Sequence, residues 1–243
     1  MRRLRYQERI NDVMAIEISL DAKSPTRALV MELEGMAVPT RRVIFENVRA
    51  TLSEQGVSFD EPAMMRYGLH AVPAHMVGDI AEHYGLRAAA RTSLLGKLNK
   101  ALAEHFRSRA VTMALGLDRV LDLARDAGSS LGVLSWQEED AARALIEKVG
   151  LARWNPQVFC LPSPDHEFPG ADVWLKALKA LGCSPRSAAA LISARAPGRA
   201  ALAAGMRVVA SPDEFTSHQD FGGVDALVDH VGDATVEQIF GRI

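Results

Sequence analysis

Apolar positions change rhythm along this chain, and the changes divide it. Residues 28–33, Ala-Leu-Val-Met-Glu-Leu, are apolar apart from Glu32 and run into Glu34-Gly35. A short run of this kind, closed by a glycine, predicts a buried parallel-type strand. From about Thr40 to Leu115 the period is helical. Val43, Ile44, Val48 and Leu52 recur on one helix face up to Gly56, and segments from Pro62, Pro73 and Arg91 continue as helices punctuated by Pro and Gly. After Gly116 the pattern alternates. Strands are predicted at SLGVLS (130–135), QVFCL (157–161), SAAALIS (187–193) and RVVAS (207–211), with helices over 117–128, 137–151, 171–182 and 198–205. Such alternation argues for a parallel sheet with helices on both faces. The expected fold is α/β and Rossmann-like. An all-helical cap, residues 41–115, is inserted into a core made of 27–40 and 116–243. Residues 1–26 form an N-terminal extension with a possible short strand at VMAIEISL (13–20) and a turn after it.

Composition narrows the classes without choosing among them. At 243 residues, 48% hydrophobic and 24% charged, the chain can bury a full core. A net charge of -2 argues against a nucleic-acid partner, which would call for a basic footprint. The basic start MRRLRY is followed by Asp12 and Glu17, which interrupt any apolar signal region, and no stretch reaches the length of a membrane span. Cys160 and Cys183 have neither CxxC spacing nor the density of a disulfide framework. The expectation is a cytoplasmic protein without a membrane or nucleic-acid partner.

Candidate chemistry gathers where the first strand ends. Glu32 and Glu34 stand two residues apart before a glycine turn, at the carboxyl edge where α/β sheets bind ligands. The segment LVMELEGMAVPTRRVIFENV, then LGVLS, then FPGADVWLKALKALGCSP, then ALISARAPGRAALAAGMRVVASP follow one another in an order and spacing that resemble the haloacid dehalogenase-like hydrolase superfamily. The branch is that of phosphoglycolate phosphatase and β-phosphoglucomutase, and the resemblance spans residues 27–242. It implies phosphoryl transfer through an aspartyl-phosphate. One Asp attacks phosphorus, a second acts as acid and base, a hydroxyl and a Lys hold the phosphoryl oxygens, and a late acidic pair binds Mg²⁺ together with the first Asp. Cations are needed because one anion must approach another.

Position by position, the resemblance places Glu32 at the nucleophile and Glu34 at the acid/base, with Gly35 and the hydroxyl of Ser135 retained. The lysine position falls on Phe168, and no Lys lies between Lys148 and Lys176. Counted back from AAGM at 203–206, the acidic pair falls on Ile192 and Ser193. A Glu in place of Asp carries its carboxylate about 1.5 Å further, and a misplacement of about 1 Å costs roughly a hundredfold in rate. The expectation is thus a catalytically degenerate phosphatase-like protein, its pocket stripped of positive charge, that binds a small anionic ligand or a protein partner. The alternative is a hydrolase of a small phosphorylated metabolite working through a modified Glu-x-Glu site. Glu32 and Glu34 are then either a modified catalytic pair or polar remnants facing a solvated cleft. No cofactor is expected on the first reading and Mg²⁺ on the second, with Glu32 as the one candidate ligand.

Other residues are weighed beside these. CLPSPDHEFPG (160–170) is a loop after a strand, where His166 would supply a cation in place of the lysine, or Asp165 and Glu167 a metal site, or all are simply solvated. His70, His75, His83 and His105 have no metal-ligand spacing. Met36-Ala37-Val38 lines an apolar ligand pocket or packs the cap. Gly35, Ser135, His166 and Ser193 complete the candidate ligand-binding set, and a homo-oligomer docked through residues 1–26 is a further structural expectation.

Overall fold

A computed structural model describes residues 27–160 and 170–240. The strand predicted within 1–26 lies outside the described residues, as does most of the loop carrying His166. Six parallel strands form one sheet in the order β3-β2-β1-β4-β5-β6: β1 is Ala28–Glu32, β2 Ser130–Ser135, β3 Gln157–Cys160, β4 Ala188–Ile192, β5 Arg207–Ala210 and β6 Ala226–Leu227. Four helices separate β1 from the rest: α1 (Arg41–Ser53), α2 (Glu61–Tyr67), α3 (Pro73–His83) and α4 (Ala88–Arg107). Then come α5 (Leu117–Asp126), α6 (Glu139–Lys148), α7 (Ala171–Ala180), α8 (Arg195–Ala203) and α9 (Asp233–Phe240). The α/β reading holds, and the described helices α1 to α4 all lie between β1 and β2.

Strand alternation explains the two layers. Leu29 and Met31 point to one face of β1, where they join Val120 and Leu121 of α5, Leu145 of α6 and Ile239 of α9 in one buried cluster. Ala28 and Val30 point to the other, against Val173, Trp174 and Ala177 of α7 and Ala201 of α8. Every residue of β1 and β4 is buried, as expected for strands with both faces covered. The first cluster continues without a break into the helical block through Phe45, Met64, Met76, Ile80, Leu94 and Leu98. Met36, Ala37 and Val38 are buried in that same cluster, so they pack the block rather than line a pocket.

Among the boundaries that differ from the sequence reading are those of two helices. Helix α8 begins at Arg195, three residues before the predicted start. Pro197 is tolerated there because the first-turn N–H groups of a helix have no intrahelical partner to lose. Helix α4 ends at Arg107 rather than continuing to Gly116.

The sheet register brings the candidate site to one edge. Glu32 pairs with Leu134, Met31 with Leu191, and Ile192 with Ala210, so the ends of β1, β2 and β4 come level. Helix α1 is then pinned to the loop after β5 by aromatic packing. The Phe45 ring lies 5.4 Å from Phe215 and 6.1 Å from Phe59, with the Arg42 guanidinium over both Phe45 and Phe215. Phe45 and Phe215 are fully buried. We expect Phe45→Ala to lower stability by about 3–5 kcal/mol, read as a shift in the urea unfolding midpoint. An unchanged midpoint would mean that this packing does not hold α1 in place.

Candidate functional site

The turn after β1 sets the first half of the site. Val38 N–H donates to the Leu33 carbonyl and Gly35 N–H to the Val38 carbonyl, folding residues 33–38 back on themselves. Gly35 carries this reversal at φ +95°, a conformation that side chains with a Cβ rarely adopt. Glu32 and Glu34 sit on either side of the strand end, 3% and 6% exposed. Both residues are largely shielded from solvent, although both line a cavity at the strand ends.

Each glutamate has a different environment. Glu34 Oε1 accepts hydrogen bonds from Ser135 Oγ at 2.7 Å and Gln137 Nε2 at 2.6 Å, and the Trp136 N–H approaches Oε2 at 3.4 Å. Burial still raises its pKa, outweighing the bonds from Gln137, Ser135, its own backbone and Trp136. Glu32 Oε2 is buried with no hydrogen-bond partner among the described residues. Burial pushes Glu32 up to about 7; the Arg41 charge opposes the shift and the Glu34 charge adds to it.

Arg41, the first residue of α1, supplies what sequence reading missed. Its Nη1 donates to Asp213 Oδ2 at 2.6 Å, and Nη1 and Nη2 both donate to Ser193 Oγ at 3.1 Å. Ser193 Oγ in turn donates to the Gly35 carbonyl at 2.9 Å. The expectation of a pocket without positive charge is thereby overturned: a guanidinium sits where β1, β4 and the loop after β5 meet. The signal was available in Thr40-Arg41-Arg42. A cation on the first turn of a helix opposes the helix dipole and needs a partner elsewhere in the chain.

These groups border a cavity of about 230 Å³. Glu32, Glu34, Gly35, Thr40 and Arg41 form its floor, with Arg66, His70 and His75 of the helical block facing it. Ser135 and Ser193 do not line it. Ser135 is spent on Glu34, and Ser193 on Arg41 and Gly35. His166 lies outside the described residues. His70 Nε2 is 2.7 Å from Asp79 Oδ2. Cys160 at the end of β3 is held at about 11, chiefly by burial and then by Glu139, Glu34 and Glu138, so its thiol stays protonated.

A Mg²⁺ ion, which the fold implies, finds a poor donor set here. Ile192 and Ser193, the latter's hydroxyl already engaged, stand at the positions of the acidic pair, leaving Glu32 as the one buried carboxyl with an unpartnered oxygen among the described residues. No group of three or more His, Cys, Asp or Glu among the described residues gathers to hold a metal. A dication a few ångströms from a guanidinium would meet repulsion on the order of several kcal/mol at an effective dielectric constant of about 20. The residues present do not fit the ion.

No family model matches the chain. Protein CbbY of Rhodobacter capsulatus is 24% identical over 228 residues, covering 88% of this chain and 97% of that protein. Among solved structures, CbbY from Rhodobacter sphaeroides in complex with phosphate superposes with a TM-score of 0.70 at 18% identity, over 84% of this chain and 94% of that one. The β-phosphoglucomutase from Clostridium difficile does so with 0.68 at 14% identity, over 84% and 91%. No helix among the described residues is long and apolar enough to cross a membrane.

The Glu32 environment makes a prediction about stability. Its folded pKa is raised from 4.5 to about 7, so its neutral form stabilises the fold fully below about pH 4.5, and that contribution is lost as pH rises through about 7. Glu32→Gln, always neutral, should gain on the parent protein across that window, by about 3 kcal/mol at pH 8 and little at pH 4. Thermal or urea midpoints at the two pH values measure it; an equal difference at both would show that Glu32 titrates normally.

The order of motifs, the six-stranded parallel sheet and the helical block after β1 agree, and the chain has the haloacid dehalogenase-like fold.

Proposed function

We propose that this protein is a phosphatase-like hydrolase of a small phosphorylated metabolite, with the phosphoryl group seated over Glu32 and Gly35 and the rest of the substrate toward Arg66, His70 and His75. The observation that carries the reading is Glu32. It is a buried carboxyl with one oxygen unpartnered and a pKa near 7, on the floor of a cavity that also holds a fixed guanidinium. A buried carboxyl tuned to neutral pH in a cleft is the mark of a working group more often than of a structural one. The cavity is smaller than the roughly 300–1,000 Å³ of sites for drug-sized ligands, which suits a compact substrate. A structural relative solved with phosphate bound adds support.

In this reading an ionised Glu32 oxygen attacks phosphorus as the bond from phosphorus to the leaving oxygen breaks. Glu34, raised by burial, gives its proton to that oxygen. Water then attacks phosphorus of the acyl phosphate, returns a proton to Glu34, and releases inorganic phosphate and the Glu32 carboxylate.

A second reading, binding of the anion without turnover, is favoured by one specific contact. Ser135 gives its hydroxyl proton to Glu34 instead of presenting it to the cavity, so the retained motif hydroxyl is already occupied. Both readings are tested by measuring phosphate release across a panel of sugar phosphates and p-nitrophenyl phosphate. The hydrolase reading expects a rate above background that rises with pH through about 7 as Glu32 ionises, and that disappears in Glu32→Ala. A panel with no release from the parent protein, but with saturable phosphate binding, sinks hydrolysis and leaves the binding reading.

A further inference from the structure

We propose that Arg41 takes over the charge-neutralising part of a divalent cation, so that this site engages a phosphoryl group without metal. The inference deepens the reading just given and rests on it for the identity of the ligand. Its basis is the arrangement around one side chain. Arg41 is only 10% exposed, yet it lines the same cavity floor as Glu32. It is not a loose surface cation that happens to be near.

Three contacts fix its direction. Asp213 holds Nη1 at 2.6 Å, and Asp213 is itself braced, its Oδ1 accepting from the Phe215 N–H at 3.0 Å and Thr216 Oγ1 at 3.0 Å. Ser193 takes the two terminal nitrogens in a fork. Gly35 completes the fit, because a Cβ at that position would lie 3.2 Å from Arg41 Nη2 and 3.8 Å from Ser193 Oγ. The turn that carries the acids is thus shaped around the guanidinium.

The donors add up in favour of a ligand. A guanidinium has five N–H groups; three point at Ser193 and Asp213, and the other two have no partner among the described residues. A planar fork with free N–H groups suits the oxygens of a phosphoryl group. The unpartnered Glu32 oxygen, buried on the same cavity floor, is a second and independent sign that a group from outside the chain completes the site. Ser193, where the fold's pattern has an acid, is what makes the exchange self-consistent. A carboxylate there would be needed by a metal, whereas a hydroxyl accepts from Arg41 and donates to the Gly35 carbonyl.

The test compares the intact protein in EDTA and in millimolar Mg²⁺, following inorganic phosphate binding by calorimetry and p-nitrophenyl phosphate turnover by absorbance, alongside Arg41→Gln and Arg41→Lys. Phosphate affinity equal in the two buffers, and about 10- to 100-fold weaker in Arg41→Gln with Arg41→Lys between, is the expected result. Phosphate binding without turnover, still independent of metal and dependent on Arg41, would uphold the inference and remove the hydrolase reading. Turnover that appears only with Mg²⁺ would overturn the inference and leave the hydrolase reading standing. Affinity unchanged in Arg41→Gln, or no phosphate binding in either buffer, also overturns it. Circular dichroism checks that the variants fold, and the metal comparison on the parent protein stands whatever they do.

Discussion

The whole site depends on how one buried positive charge is held. Arg41 opens a helix at the end where the dipole repels it, so the surrounding structure must make up the difference. Asp213 does so with a charge-assisted bond, and Ser193 with a forked one. Through Ser193 the same knot reaches the Gly35 carbonyl and so fixes the turn that presents Glu32 and Glu34. Remove the charge, and Asp213, Ser193 and Glu32 are left facing one another without a cation among them. The strength of such a knot lies in its burial. The Arg41 side chain is nearly enclosed and Asp213 about one-third exposed, so solvent screens this pair less than it screens Arg42 with Glu61 or Glu214, which are about half exposed.

The two glutamates show what neighbours do to a carboxyl group. Glu34 reaches across to Ser135 and Gln137 and is held there. Glu32 stays beneath the cavity with an oxygen to spare. The same residue type at two positions is tied at one to the β2 end and has an oxygen to spare at the other. Their division of labour follows from neighbours and not from the residue type.

Most of the architecture was legible in the sequence. Strands buried on both faces read as apolar runs, and helices between them keep their period, so β1 to β5 and the helical block could be placed from Ala28 to Ala210. Strand β6, two residues long, offers no period to read. The site was legible only in part. Glu32, Glu34 and Gly35 are contiguous and announce themselves. Arg41 was in plain view but its partners are not local, being 152 and 172 positions away at Ser193 and Asp213. No periodicity connects residues that far apart; only the strand order does, by setting β1 beside β4 and β4 beside β5. Ser135 ends strand β2, and its hydroxyl turns to Glu34, a direction that a motif does not encode.

That separation has a consequence for synthesis on the ribosome. The acids and the guanidinium emerge within the first fifth of the chain, while Asp213 follows only after β5. A nascent chain, or a fragment cut before that strand, therefore carries at the start of α1 a cation without Asp213 to match it. The pocket can be completed only once Asp213 has been made, although its first residues are among the earliest to emerge.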